Sequence, residues 1–337
     1  MPRISFTHSQ KVAEALEGEW LYEVCDRSKS GVPFACKAGA CGTCATEVLE
    51  GRDSLDPQTA REVRTLEEHK LDPQKYRLLC LSDVHGDVTF GKPAQATTDT
   101  ANAVHEVTVE SWRPLNHTVC EVRFFIENPK FAFNPGQYMI FHVPSSGHAV
   151  RRSYSISTPP SDRRHFEVCI RSVAGGVGSN FVHRLRPGRK VRVEGPYGHF
   201  VLDEGSNKRI LMIATGTGIS PIKSMLLHLL HTRSDRRVRL FFGLRHESDL
   251  FYTDLFRGLA AHYPNFDHTI ILSQPSAGGW TGPSGRVTDL LRDLIDPRDA
   301  AHTEAYICGG REMIEDSRAI LESKGFSKED IRFESFF

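Results

Sequence analysis

From Val104 to about Leu202, apolar and polar residues alternate in short runs, HEVTVESW, HTVCEVRFFI, QYMIFHV, RSYSIS, HFEVCIR and KVRVEG, divided by proline and glycine. A period of two puts successive side chains on opposite faces of a strand, so this stretch predicts an antiparallel barrel or sandwich. From Arg209 the rhythm changes. Strand-like RILMIA, VRLFFG, HTIIL and AYIC alternate with helix-like PIKSMLLHLLH, DLFYTDLFRGLAAH, VTDLLRDL and REMIEDSRAILESKG, the pattern of a parallel, doubly wound α/β domain. Upstream, the text after Phe90 becomes GKPAQATTDTANA, small and polar with no apolar period. It reads as a linker, so the residues before it form a unit of their own.

The chain has 337 residues, which at roughly 100 to 200 residues per domain agrees with two or three domains. Apolar residues make up 39% and charged residues 25%, enough for true cores and too apolar for general disorder. Lys plus Arg (42) balances Asp plus Glu (42), so no global field draws the chain to nucleic acid or an anionic membrane. No apolar run approaches the roughly 18 to 20 residues needed to cross a bilayer, and the first residues lack the apolar segment of a signal peptide. The cytoplasm is therefore the expected location. Eight cysteines are too sparse for a secreted disulfide scaffold, and four of them cluster unevenly.

Those four are Cys36, Cys41, Cys44 and Cys80, spaced C-x4-C-x2-C with 35 residues between Cys44 and Cys80. This is the plant-type 2Fe-2S spacing, in which four thiolates hold two irons. Gly39 and Gly42 allow a tight loop to turn backbone N–H groups toward the sulfurs. A structural zinc site is the rival reading, although zinc modules bring their ligands as two short pairs and Cys80 has no close partner. Cys25, Cys120 and Cys169 read as small buried apolar residues.

Two motifs in the alternating region suit a flavin. Arg152, Ser153, Tyr154 and Ser155 end a strand, and an arginine can clamp phosphate oxygens. Gly175, Gly176, Val177, Gly178 and Ser179 form a turn that opens a short helix expected over 180–185, with Ser179 as its cap and free N–H groups facing a pyrophosphate. Each motif alone reads more readily as a plain strand or turn, and their order and spacing within one β region favour the flavin. Electron counting adds an independent argument, because a nicotinamide delivers two electrons at once and a 2Fe-2S cluster accepts one. A flavin can divide the pair.

In the α/β region, Thr215, Gly216, Thr217, Gly218, Ile219, Ser220 and Pro221 join a strand to a helix, so the glycines admit a pyrophosphate and Pro221 fits the first helical turn. Proline replaces the third glycine of the dinucleotide fingerprint G-x-G-x-x-G. Cys308, Gly309 and Gly310 end a later strand at the carboxyl edge of the sheet, where ligands of open α/β sheets bind. A buried cysteine before a helix start is the plainer alternative.

Taken together, these residues resemble the bacterial reductases in which an N-terminal plant-type ferredoxin domain is fused to a ferredoxin-NADP reductase-like module, as in the benzoate dioxygenase system. The resemblance implies a multidomain chain: a β-grasp-like 2Fe-2S ferredoxin domain over 1–92, a linker over 93–103, an antiparallel β-barrel flavin domain over 104–205 and an α/β parallel-sheet nicotinamide-binding domain over 206–337. It implies that Arg152 meets the FAD pyrophosphate, that Tyr154 and Ser155 meet the isoalloxazine, and that Gly176 and Ser179 hold the pyrophosphate. Gly216, Thr217, Gly218 and Pro221 would take the nicotinamide dinucleotide, and Cys308 would reach the nicotinamide. The family's C-terminal acid and aromatic approach the flavin, which points to Glu334 and to Phe336 or Phe337.

The function so implied is electron transfer from NADH or NADPH through FAD and a 2Fe-2S cluster to a separate oxygenase. A non-oxygenase acceptor such as a deoxysugar dehydrase would use the same electron chain, and a colorless zinc- and nucleotide-binding sensor is the reading from another class. Gly243, Leu244, Arg245, His246 and Glu247 follow the second strand and hold both an arginine that could meet a 2'-phosphate and an acid that would repel it, with NADH the favoured donor.

Overall fold

The computed structural model describes residues 1–34, 39, 42–94, 103–144, 150–232 and 234–336. The chain divides into two compact units, Met1–Thr100 and Ala101–Phe337. No helix among the described residues is long and apolar enough to cross a membrane.

The first unit runs β1 (Arg3–Phe6), β2 (Lys11–Glu14), β3 (Glu19–Trp20), α1 (Leu21–Ser28), β4 (Ala45–Glu50), α2 (Ala60–Glu68), β5 (Tyr76–Leu78), β6 (Asp83–Val84) and β7 (Val88–Pro93). Five strands make a mixed sheet in the order β2-β1-β7-β4-β5, with β1 and β7 parallel, while β3 and β6 pair separately. Leu21, Val24 and Cys25 of α1 and Leu66 of α2 join Ile4, Phe6, Val88 and Phe90 in its core. Cys25 is buried, as expected of a small apolar residue, and burial pushes its thiol up to about 12. Strand residues occupy both ends of the expected linker, since β7 reaches Pro93 and the next strand begins at Ala103; the Ala94 amide still donates to the Ala45 carbonyl at 2.7 Å.

A buried ion pair ties α2 to this sheet. Arg77 and Glu62 are 2% and 0% exposed, with Arg77 Nε 2.7 Å from Glu62 Oε1. The remaining capacity of both groups is met by Ser82 Oγ at 2.8 Å, the Asp56 carbonyl at 2.8 Å and the Leu78 amide at 2.8 Å.

The second unit begins with β8 (Ala103–Pro114), β9 (Val119–Ile126), β10 (Tyr138–Val143), β11 (Val150–Ser155), β12 (His165–Arg171), α3 (Val177–His183) and β13 (Lys190–Tyr197). Its six strands form one antiparallel sheet in the order β11-β10-β13-β8-β9-β12, and an isolated bridge joins Ile156 to Val168 beyond the end of β11. Phe124, Phe141 and Phe166 pack ring against ring in its core, as the alternating pattern requires.

The unit continues with β14 (Arg209–Thr215), α4 (Ile219–His231), β15 (Val238–Leu244), α5 (Thr253–His262), β16 (Phe266–Leu272), α6 (Val287–Leu294), β17 (Thr303–Gly310), α7 (Arg311–Ser323) and β18 (Ile331–Phe336). All five strands are parallel, in the order β16-β15-β14-β17-β18. The central strand β14 reads as continuous apolar text because both faces are covered. Ile210, Met212 and Ala214 enter one core beside α4, and Leu211 and Ile213 enter the other beside α6 and α7.

Two helix starts differ from the sequence expectation. The helix after the glycine turn begins at Val177 rather than at residue 180, with Gly176 as its N-cap. The helix expected from Asp249 begins only at Thr253, because Tyr252 adopts the left-handed conformation at φ 58° while Phe251 and Tyr252 anchor in the core.

Removing one partner of a buried ion pair leaves an uncompensated charge, so Glu62→Ala is expected to destabilise the first unit by about 3 to 5 kcal/mol. Denaturant unfolding of the full chain, followed by circular dichroism, measures this.

Candidate functional site

Cys36 and Cys41 lie outside the described residues. Cys44 and Cys80 are each 3% exposed. They close the same end of the β4–β5 pair, where Ala45 faces Leu78 and the Leu79 amide reaches the Cys44 carbonyl at 3.4 Å. Gly39 and Gly42 hold left-handed conformations at φ 71° and 67°. A Cβ would come within 2.2 Å of Leu81 at the first and 2.4 Å of the His69 ring at the second, so Gly39 and Gly42 lie against the Cys80 turn and the end of α2 where only glycine fits. Two buried cysteines beside these glycines suit thiolate ligation of a cluster.

On β11, Arg152 is exposed, Tyr154 is half-buried with its ring edge-on to Phe141 at 5.2 Å, and Ser155 is buried. The start of α3 lies directly on this strand. A Cβ at Gly178 would approach Tyr154 Oη to 2.5 Å and Arg152 Cγ to 2.6 Å, whereas one at Gly175 would project into open space. The two motifs are therefore adjacent. Ser179 does not cap the helix: it is buried, donates to the Gly176 carbonyl at 3.3 Å and accepts from the Val173 amide at 3.2 Å, which fixes the turn from inside.

At the end of β14, Gly216–Gly218 form one 3-10 turn and Pro221 lies buried in the first turn of α4. A side chain at Gly216 would enter open space. At Gly218, a Cβ would stand 2.4 Å from the Cys308 carbonyl oxygen, and at Gly309 another would stand 2.2 Å from Thr215 Oγ1. Thr217 is half-buried beside them.

Cys308, fully buried, pairs in register with Glu334 on β18. Glu334 Oε2 accepts a hydrogen bond from Ser155 Oγ at 3.3 Å, joining the antiparallel and parallel halves of the unit. The carboxyl keeps a little solvent access, yet the protein mass around it is dense. Burial raises it to about 7, against a smaller lowering by Ser155. The Cys308 thiol is pushed well above its usual value by burial and by the Glu334 charge. Phe336 pairs with Gly310 and packs, half-buried, on the core that includes Ala214 and Cys308. Phe337 lies outside the described residues. The hydroxyls of Ser153, Ser157 and Ser335, next in sequence to this meeting point, are buried without a protein partner. Sequence reasoning gave these three serines no role; small polar residues where strands end on the edge of a core are the signal that could have found it. Buried orphan hydroxyls, glycine cradles and an exposed arginine fit a polar, phosphate-bearing ring cofactor.

Three family models match consecutive parts of the chain: a 2Fe-2S iron-sulfur cluster binding domain over residues 6–85, an oxidoreductase FAD-binding domain over 106–202 and an oxidoreductase NAD-binding domain over 212–319. The reductase component DmpP of phenol 2-monooxygenase from Pseudomonas sp. (strain CF600) is 30% identical, with 97% of this chain and 92% of that protein covered. The chain belongs to the family of oxygenase reductase components. The ferredoxin–NAD(P)+ reductase component of the naphthalene 1,2-dioxygenase/salicylate 5-hydroxylase systems of a Ralstonia species is likewise 30% identical, over 95% of this chain and 94% of its own. The structure of the Amycolatopsis cytochrome P450 reductase GcoB matches with TM-score 0.72 and 25% identity, covering 100% of this reductase and 99% of that chain. The reductase is thus an oxidoreductase with 2Fe-2S, FAD and NAD(P) as its cofactors, and the zinc reading falls to the 2Fe-2S match.

Between the ordinary carboxyl value of 4.5 and about 7, the folded reductase holds a proton on Glu334 that the unfolded chain has released, so stability present at low pH is lost as pH rises through that window. Glu334→Gln, uncharged throughout, is expected to gain on the parent by about 1 to 3 kcal/mol between pH 5 and pH 8. Denaturant unfolding of the cofactor-free protein at both pH values measures the difference.

Proposed function

We propose that this reductase takes a hydride from NADH where β11, β17 and β18 converge, and passes the electrons singly through a 2Fe-2S cluster on Cys36, Cys41, Cys44 and Cys80 to a separate oxygenase. The observation that carries the reading is the meeting of Ser155, Cys308 and Glu334 from three strands of the two halves of one unit. FAD bound beside them supplies the conversion of a two-electron donor into a one-electron source.

The chain's own groups have distinct tasks in this reading. Arg152 neutralises pyrophosphate oxygens while the Gly175–Ser179 turn gives them room, and Tyr154 and Ser155 face the ring. Gly216, Thr217, Gly218 and Pro221 seat the dinucleotide, with Gly309 keeping Cys308 close to the nicotinamide. The buried Cys308 thiol excludes water there, and Glu334, held by Ser155, keeps a proton within reach of the ring. Phe336 covers the ring from the end of β18.

NADH is favoured by Glu247, whose Oε1 accepts from both the amide and the hydroxyl of Ser276 at 2.8 Å. That fixes a carboxylate beyond β15, where a ribose 2'-phosphate would be repelled. The domain limits in this reading are 1–92, 104–205 and 206–337 with 93–103 as connector, supported by the division of the chain into compact units after Thr100. A barrel for the flavin domain is supported by the Ile156–Val168 bridge and by the Ser157 amide on the Glu167 carbonyl at 2.8 Å. A β-grasp-like first domain is supported by the mixed sheet with α1 and α2 against it. Cys25, Cys80, Cys120, Cys169 and Cys308 are buried and form no disulfide, which accords with a reducing cytoplasm.

Cys44→Ser is expected to leave NADH-driven bleaching of the flavin band intact while lowering reduction of cytochrome c about 10- to 100-fold. Transfer at the parental rate from a variant without cluster absorbance would overturn the order of carriers. Glu247→Ser is expected to raise kcat/KM for NADPH relative to NADH about tenfold, read by steady-state kinetics with each donor.

A further inference from the structure

One face of α4 departs from its apolar surroundings. Ser220, Lys223 and Ser224 stand at i, i+3 and i+4, all buried, among Ile219, Ile222, Met225 and Leu226. A buried ammonium is tolerated only when it is paired and hydrogen-bonded. Lys223 Nζ lies 2.8 Å from Glu121 Oε2 on β9 and 3.1 Å from Glu167 Oε2 on β12. It also stands 3.4 Å from the Tyr252 hydroxyl and 4.5 Å from the centre of that ring. Tyr252 donates to Glu121 Oε2, and Arg113 Nε binds Glu121 Oε1 at 2.7 Å. Burial pushes the Glu121 carboxyl up, but Lys223, Tyr252 and Arg113 outweigh it and hold it below the usual carboxylate value. The flanking serines bond in the same direction: Ser220 Oγ to the Cys169 carbonyl at 3.3 Å and Ser224 Oγ to the Thr158 carbonyl at 2.5 Å. At the outer end of the seam, Asn116 Nδ2 donates to the Asp249 carbonyl at 2.8 Å.

Apart from the Arg113–Glu121 and Lys223–Tyr252 contacts, each of these bonds joins the parallel half of the unit to the antiparallel half. Lys223 lies one turn beyond Gly218, the last residue of the turn that leads into α4. Apolar packing alone fixes a separation but tolerates sliding, whereas an ammonium divided between two carboxylates on neighbouring strands fixes a position. We propose that Lys223 is a positioning residue for hydride transfer, locking α4 and its glycine turn to β9 and β12 so that nicotinamide and flavin are held at a set distance. The proposal rests on the assignment of the dinucleotide to the Gly216–Gly218 turn and of the flavin to β11 and α3.

The test compares the parent with Lys223→Met, Lys223→Arg and the milder Glu167→Gln, which leaves Glu121 to neutralise the ammonium should the methionine variant fail to fold. In stopped-flow flavin reduction against NADH concentration, Lys223→Met is expected to lower the limiting rate about tenfold, the scale of a small misplacement of reacting groups. FAD content and the apparent Kd for NADH are expected to stay within about twofold, with Lys223→Arg recovering part of the rate. Glu167→Gln is expected to show the same split with a smaller fall. A second arm needs no cofactor: hydrogen–deuterium exchange of the cofactor-free protein is expected to quicken in the first turn of α4 and in β12 and to stay unchanged in β10. Failure of the underlying assignment appears in the parent, as absence of flavin bleaching by NADH. Limiting rates within twofold of the parent in folded variants, or a loss of FAD and NADH affinity in step with the rate, would overturn the positioning role.

Discussion

The turn after β14 approaches the end of β17 so closely at Gly218 and Cys308 that no side chain of any size fits between them, since a Cβ on Gly218 would stand 2.4 Å from a carbonyl oxygen. That approach decides the geometry of the second unit. It brings the turn before α4 against the end of β17, leaves open space in front of Gly216, and puts Cys308 at the edge where β18 contributes Glu334. A larger residue at 218 would part β14 from β17 and move the turn, the thiol and the carboxylate together. Glycine serves here as the absence of an obstacle as much as a source of backbone freedom.

Polar groups define the second unit's interior as much as apolar ones do. The two halves meet through an ion-paired lysine and two buried serines, and the first unit holds its second helix by an arginine and a glutamate that are almost wholly buried. Such pairs add little net stability over well-packed apolar residues, but they tolerate only one arrangement. In a chain that passes electrons between two cofactors, one arrangement is the useful property.

Much of this architecture is readable in the sequence, for reasons that differ from place to place. RILMIA reads as an interior parallel strand because helices cover both of its faces, and the alternation in HTVCEVRFFI survives because one face of that strand enters a core of stacked phenylalanines. The glycine turns and the cysteine spacing are visible because they are local. What stays hidden depends on partners far away in sequence. The left-handed Tyr252, which delays a helix by four residues relative to the text, follows from anchoring its ring in the core and its hydroxyl on Glu121. Lys223 in isolation looks like a solvent-facing lysine of an amphipathic helix, and only the fold supplies the carboxylates that explain its burial. Ser179 fits the cap position of a motif, yet its hydroxyl turns inward to hold the loop.

The hydrogen bond between Ser155 and Glu334 spans 179 positions of the chain. At a synthesis rate of about 5 to 20 residues per second, the carboxylate leaves the ribosome roughly 10 to 40 seconds after the hydroxyl it will meet. The antiparallel sheet and the turn that rests on it can take shape during that interval, with their orphan serine hydroxyls still open to water. The site is therefore finished in two acts separated in time. The half that carries Arg152 and Tyr154 is made first, and Glu334 comes to Ser155 last.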